Sequence, residues 1–301
     1  MFIEKTIEVN SGFLLSSYEA IPDSPEGVVL IIHGMAEHGA RYLPFANYLK
    51  TKNWGCVAYD QRGHGKTSAL NGQRGFIADK NGWDLLISDL DFVYKDLCIR
   101  FPYQSIVILG HSMGAILAAS FVIKTKNKPS AVVLSALAFD PGILLPLGKG
   151  LSSLLALISG KNSPSKVMDK LTFGDFNSSF KNPRTPFDWL SRKEEEVDKY
   201  IQDPDCGEVF THQFFSDMLS GLQLVHQGVS TWPKDLPTLM IMGQDDPVVG
   251  FKKKALVTLN KFKEASNEVT GISYPGGRHE MMNEVNRNEV YDDIFNWTKD
   301  A

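Results

Sequence analysis

Residues 110–114 read Gly-His-Ser-Met-Gly, directly after the apolar run Ser105-Ile-Val-Ile-Leu109 and before Ala115-Ile-Leu-Ala-Ala119. A serine between glycines at a strand-to-helix junction suits a turn too sharp for flanking side chains. Such a turn leaves the serine Oγ exposed at the carboxyl end of the strand. The helix N-terminus adds a positive field, and the Met113 N–H, lacking a helical acceptor, is free to face a developing oxyanion. Ser112 is therefore a candidate nucleophile, with a merely structural turn as the competing reading.

A serine hydroxyl is a poor nucleophile at neutral pH and needs a base and an orienting carboxylate. Enzymes built around such a serine carry the acid, and then the histidine, later in the chain. Of the seven histidines only His212, His226 and His279 follow Ser112. The first two fall in a stretch without core strands. His279 follows the last predicted strand, in the loop Pro275-Gly-Gly-Arg-His279, and is the candidate base. The run 238–242 ends in Gly243-Gln-Asp-Asp-Pro-Val248. An acid here can accept from the imidazole N–H and fix its tautomer. Asp246 is favoured by its spacing after the glycine, and Asp245 reads as a turn-capping residue. The second oxyanion donor is expected after the third strand, in Ile31-Ile-His33-Gly34-Met35, from the Met35 N–H opposite that of Met113. His33 is expected to brace this loop.

Positioning these residues takes a regular frame. Apolar runs at 2–9 and 13–21, separated by Asn10-Ser-Gly12, predict an antiparallel hairpin at a sheet edge. Continuous Val- and Ile-rich runs at 28–32, 55–59, 105–109 and 131–135 suit strands buried on both faces, and two more follow at 238–242 and 271–274. Helical patterns over 41–52, 83–100, 113–124, 252–265 and 284–299 lie between them. The alternation predicts an α/β fold with a mostly parallel eight-stranded sheet flanked by helices. It fails over 138–232, which reads as an inserted helical cap on a core made of 1–137 and 233–301. Within it Leu147, Leu151, Leu154, Leu155 and Ile158 fall on one helix face. That face either covers an acyl chain or lipid surface, or packs the cap onto the core.

The chain has 301 residues, 43% of them hydrophobic, enough for one large α/β domain or two smaller ones. A net charge of −4 with both signs dispersed gives no electrostatic reason to expect a nucleic-acid partner. Cys56, Cys98 and Cys206 form no CxxC pair, so neither a disulfide framework nor a zinc ribbon is suggested. Charges in Met1-Phe-Ile-Glu-Lys-Thr-Ile-Glu8 argue against a signal peptide, and no apolar stretch reaches bilayer length. A cytoplasmic protein is expected, with the cap as the surface that would touch a membrane.

The set His33-Gly-Met-Ala-Glu-His38 with Arg41-Tyr42, then Asp60-Gln-Arg-Gly-His-Gly65, then Gly110-His-Ser-Met-Gly114, resembles the α/β-hydrolase fold. More narrowly it is similar to the monoacylglycerol lipase and lysophospholipase family, grouped with serine aminopeptidases. The cap segments Arg184-Thr-Pro-Phe-Asp-Trp-Leu-Ser191, Val197-Asp-Lys-Tyr200 and Asp203-Pro-Asp-Cys-Gly207 extend the resemblance over nearly the whole chain. It implies Ser112, Asp246 and His279 as a triad, with Met35 and Met113 as backbone oxyanion donors. Thr67 departs from the family's usual serine, a matter of loop capping.

Other motifs fall short. Gly65-Lys66-Thr67 ends like a phosphate-binding loop, but Asp60 stands at its first glycine. His279-Glu280 begins like a zinc peptidase, but Asn283 replaces the second histidine. No cofactor or metal is implied. The expected function is hydrolysis of an ester with a single fatty acyl chain, of monoacylglycerol or lysophospholipid type. An aminopeptidase using Glu194, Glu195 or Glu196 as amine anchor is the alternative, and a non-catalytic binding protein a remoter one.

Overall fold

The computed structural model describes residues 2–9 and 12–301. Eight strands form one sheet: β1 (Ile3–Val9), β2 (Phe13–Ala20), β3 (Gly27–Ile32), β4 (Gly55–Tyr59), β5 (Ser105–His111), β6 (Ala131–Ser135), β7 (Thr238–Gly243) and β8 (Val269–Tyr274), in the order β1-β2-β4-β3-β5-β6-β7-β8. β1 pairs antiparallel with β2, and β2 with β4; the other pairings are parallel. The expected hairpin is present, although Asn10 and Ser11 of its turn lie outside the described residues.

Ten helices accompany the strands among the described residues: α1 (Leu43–Thr51), α2 (Gly65–Asn71), α3 (Gly82–Arg100), α4 (Met113–Lys124), α5 (Leu144–Ser159), α6 (Lys166–Phe173), α7 (Glu194–Gln202), α8 (His212–Gly228), α9 (Phe251–Ala265) and α10 (Arg287–Asp300). Strand periodicity sorts the core into two layers. Along β3, Val28, Leu30 and Ile32 join the layer built with α3, α4, α8 and α9, whereas Val29 and Ile31 join the layer of α1 and α10.

Two helices are shorter than their patterns predict. The run 41–52 begins as a 3-10 turn over Gly39–Tyr42, and the run 284–299 becomes helical only at Arg287. α2 has no apolar period to announce it. Asp60 holds it instead, accepting from the Lys66 N–H at 2.8 Å, while the Thr67 hydroxyl donates to the Asp60 carbonyl at 2.7 Å.

Between β6 and β7 the chain forms the helical cap, α5 to α8. The five-residue apolar face predicted on α5 divides. Leu145, Ser152 and Ala156 are its buried residues, set against α8, with Ser152 Oγ donating to the His212 carbonyl at 2.6 Å. Small residues such as Ser152 and Ala156 let the two helices approach. Leu154 and Ile158 are 51% and 71% exposed, Leu151 and Leu155 pack against the core, and Leu147, itself 61% exposed, joins Leu151 in lining an interior cavity.

Candidate active site

Ser112 joins β5 to α4 with φ 54° and ψ −116°, a conformation that a side chain rarely adopts, and its N–H donates to the Ser135 carbonyl at 2.8 Å. The turn is tight because β5, α4 and β3 converge on it. A Cβ on Gly110 would stand 2.2 Å from the Gly114 carbonyl oxygen, and one on Gly114 would stand 2.0 Å from that of Ile32. Met113 is the first residue of α4, where an N–H has no helical acceptor.

His279 lies in the loop after β8 and is buried, with Nδ1 2.9 Å from Asp246 Oδ2. Asp246 is fully buried after β7, its Oδ1 accepting from the Val248 N–H at 2.8 Å, whereas Asp245 is exposed. The two loops nearly touch: a Cβ on Gly243 would meet the Gly277 carbonyl oxygen at 2.2 Å. Burial works against a charged imidazole, but the Asp246 carboxylate, reinforced by Glu280 and Glu37, outweighs it and raises the His279 pKa above that of an ordinary histidine. The His111 ring lies tilted 4.8 Å away; burial first, then His279, lower its pKa to about 4, so it is neutral.

The third wall comes from the loop after β3. His33 Nδ1 donates to the Gly34 carbonyl at 2.7 Å, and its Nε2 accepts from the Gln61 N–H at 2.9 Å, so this buried ring braces the loop as a neutral imidazole. Glu37 Oε1 accepts from the Gly34 N–H at 2.6 Å and the Tyr42 hydroxyl at 2.8 Å. The Arg41 guanidinium donates to Glu37 at 2.7 Å and to both oxygens of Glu280 at 2.7 and 2.8 Å. Burial alone would raise the Glu37 carboxyl; Arg41 outweighs it and brings it down to about 2. One cation thus ties the Met35 loop to the His279 loop. The pairing of Glu37, Arg41 and Glu280 escaped the sequence reading; the i, i+4 spacing of Glu37 and Arg41 was its one local signal.

Ser112, Met113, Met35 and His279 all line one cavity of about 630 Å³, with Asp246 behind His279. His212 and His226 do not line it; His226 Nε2 sits 3.1 Å from the Ala138 carbonyl. Much of the remaining lining is apolar and comes from the cap, including Leu147 and Leu151 of α5, Met168 of α6 and Leu222 of α8. Trp189 from the cap sets its ring tilted 5.2 Å from that of His279, and its carbonyl accepts from the His279 N–H at 3.3 Å. Acidic side chains also reach the cavity, namely Glu37, Asp169, Glu208 and Glu280, but no lysine or arginine does among the described residues. No helix of the described residues is long and apolar enough to cross a membrane.

The chain is 29% identical to a monoacylglycerol lipase from Mycolicibacterium smegmatis, over 92% of this chain and 89% of that one. Its fold matches a thermostable carboxyl esterase from Bacillus coagulans, solved with glycerol, at a TM-score of 0.91 and 22% identity, covering 99% and 98% of the two chains. It also matches a monoglyceride lipase from Saccharomyces cerevisiae, solved with a substrate analog, at a TM-score of 0.77 and 17% identity, covering 100% and 95%. Residues 23–286 match the model of the family described as serine aminopeptidase, S33. On this match and this α/β-hydrolase fold, the chain belongs to the serine aminopeptidase S33 family.

Proposed function

We propose that the protein is a serine hydrolase that cleaves carboxylic esters of one fatty acyl chain, with neutral monoacylglycerols preferred. The observation that carries the reading is the buried His279–Asp246 pair on the wall of an apolar cavity that also holds the strained Ser112. In this mechanism Ser112 Oγ attacks the ester carbonyl carbon while His279 Nε2 takes its proton. Asp246 keeps Nδ1 protonated and stabilises the imidazolium. The oxyanion of the tetrahedral intermediate faces the N–H groups of Met35 and Met113, each such donor contributing ~3–4 kcal/mol. Collapse expels the alcohol, which receives the His279 proton, and leaves an acyl-enzyme. Water, deprotonated by the same imidazole, then releases the fatty acid.

The preference for a neutral head group follows from charge. Glu37 and Glu280 are held by Arg41 and Glu208 by Arg74, and no lysine or arginine among the described residues lines the cavity, so an anionic lysophospholipid finds no cationic partner there. Its kcat/KM is expected about tenfold or more below that of a monoacylglycerol of equal chain length. The aminopeptidase alternative loses its expected anchor: none of Glu194, Glu195 and Glu196 lines the cavity, and Glu196 pairs with Lys199 and Arg287.

A panel of esters varied in chain length and head group, run beside aminoacyl-arylamides, tests the reading. Faster turnover of the arylamides, or of short-chain esters alone, overturns it. Covalent labelling by a fluorophosphonate is expected in the wild type and lost in Ser112→Ala; labelling that persists removes Ser112 as nucleophile.

We further infer that the cap meets lipid surfaces through α5. Leu154, Leu157 and Ile158 project outward from it, Leu157 being 83% exposed, with Val167 and Leu171 of α6 also exposed. Replacing Leu154, Leu157 and Ile158 together by Gln is expected to release the protein from phosphatidylcholine vesicles in sedimentation. Turnover of a dissolved short-chain ester stays intact, because none of the three lines the cavity. An unchanged bound fraction would count against this contact.

A further inference from the structure

The Met35 loop and the cap meet at His38, whose Nε2 lies 3.0 Å from Asp203 Oδ2. One ligating atom from each of His38, Asp203 and Cys206 lies within 4.8 Å of the others, and all three residues are half-buried. We propose that His38, Asp203 and Cys206 form a site for one zinc ion, with solvent as fourth ligand, bridging the core and the cap.

The residue types suit the metal. One imidazole nitrogen, one carboxylate oxygen and one thiolate form a donor set that favours zinc over magnesium or calcium. Ligating atoms around tetrahedral zinc stand ~3.3–3.8 Å apart, so closure needs a contraction of about 1 Å, within reach of side-chain rotation on two loops. Asp203 is already aimed, since its Oδ1 accepts from the Asp205 N–H at 2.9 Å.

Charge points the same way. The guanidinium beside Cys206 belongs to Arg41, which is engaged by Glu37 and Glu280. Asp203 adds a third carboxylate, so negative charge exceeds positive before any ion binds. Binding breaks the Cys206 S–H bond, forms an S–Zn bond and releases the proton to solvent, while the neutral His38 ring keeps its proton on Nδ1 as Nε2 ligates, so affinity rises with pH.

The bridge would act on a defined place. Gly207, next to Cys206, donates its N–H to the Ala36 carbonyl at 3.0 Å, one residue from Met35. The binding itself does not depend on the proposed esterase chemistry, only its effect on the oxyanion loop does.

Cobalt(II) replaces zinc as a spectroscopic probe of the full-length protein. Titration is expected to give a thiolate-to-cobalt charge-transfer band in the near ultraviolet that saturates at one ion per chain and is displaced by zinc. Cys206→Ala abolishes the band and Cys98→Ala keeps it. Asp203→Asn weakens cobalt binding about tenfold or more, and zinc raises the melting temperature of the wild type but not of this variant. A band retained in Cys206→Ala, lost in Cys98→Ala, or absent from the wild type overturns the site. Should Cys206→Ala misfold, Asp203→Asn decides, and wild-type affinity in that variant overturns it.

Discussion

At the scale of the residue, the deciding group is His279, where burial opposes charge and Asp246 restores it. A base must be neutral to act, so activity disappears as pH falls through its pKa. Because that pKa is raised, the acid limb of kcat/KM is expected above the range of an ordinary histidine. Asp246→Asn is expected to lower kcat ~10⁴-fold and to move the acid limb of the residual activity to lower pH. A limb that stays in place would show that Asp246 does not set the proton affinity of His279. That the fold brings Ser112 and His279 to one cavity, with Asp246 bonded to His279, was legible because their order in the chain and their positions at strand ends are sequence properties. The Glu37–Arg41–Glu280 bridge was not, since Arg41 and Glu280 stand 239 positions apart and only the folded sheet brings them together.

At the scale of the element, the same residue type has opposite consequences in two helices. Gly114 lies in the first turn of α4 where β3 passes directly behind it, and an added Cβ would meet the Ile32 carbonyl oxygen at 2.0 Å. Gly150 sits within α5 with nothing within 4 Å of an added Cβ. Gly114→Ala is expected to destabilise by at least ~2 kcal/mol, and Gly150→Ala to stabilise by up to ~1 kcal/mol, both read from urea midpoints at constant m. Equal effects would refute the argument from backbone approach. The frame was readable from period and turn chemistry, down to helix α4, Met113–Lys124, whose limits the pattern matched. The predicted α5 face takes both of its expected roles: Leu151 and Leu155 pack against the core, Leu147 and Leu151 border the cavity, and Leu154 and Ile158 face outward, a division set by how α5 docks and not by its period.

At the scale of the whole molecule, cap and core are joined by polar groups as well as apolar ones, and one of them makes stability depend on pH. Asp217 of α8 is buried beside the start of α3, with Gln213 Nε2 3.1 Å from its Oδ1 and no ion pair among the described residues. Burial raises its pKa from 3.8 to about 6. The folded state therefore holds this proton more tightly than the unfolded chain, and stability falls as pH rises from about 4 to 6, then levels. Asp217→Asn is expected to stabilise by ~1–2 kcal/mol at pH 7.5 and by little at pH 4; an equal gain at both would refute the titration. The chain alone determined the residue types, their order, and the strand and helix periods that set an eight-stranded α/β sheet with a helical insertion. These depend on neighbours in sequence, through turn geometry and amphipathic period. Only the tertiary structure decided which leucines face the cavity, which cation joins the Met35 and His279 loops, and that His38, Asp203 and Cys206 stand together. Each of those needs side chains from distant segments to meet, and no local period encodes such a meeting.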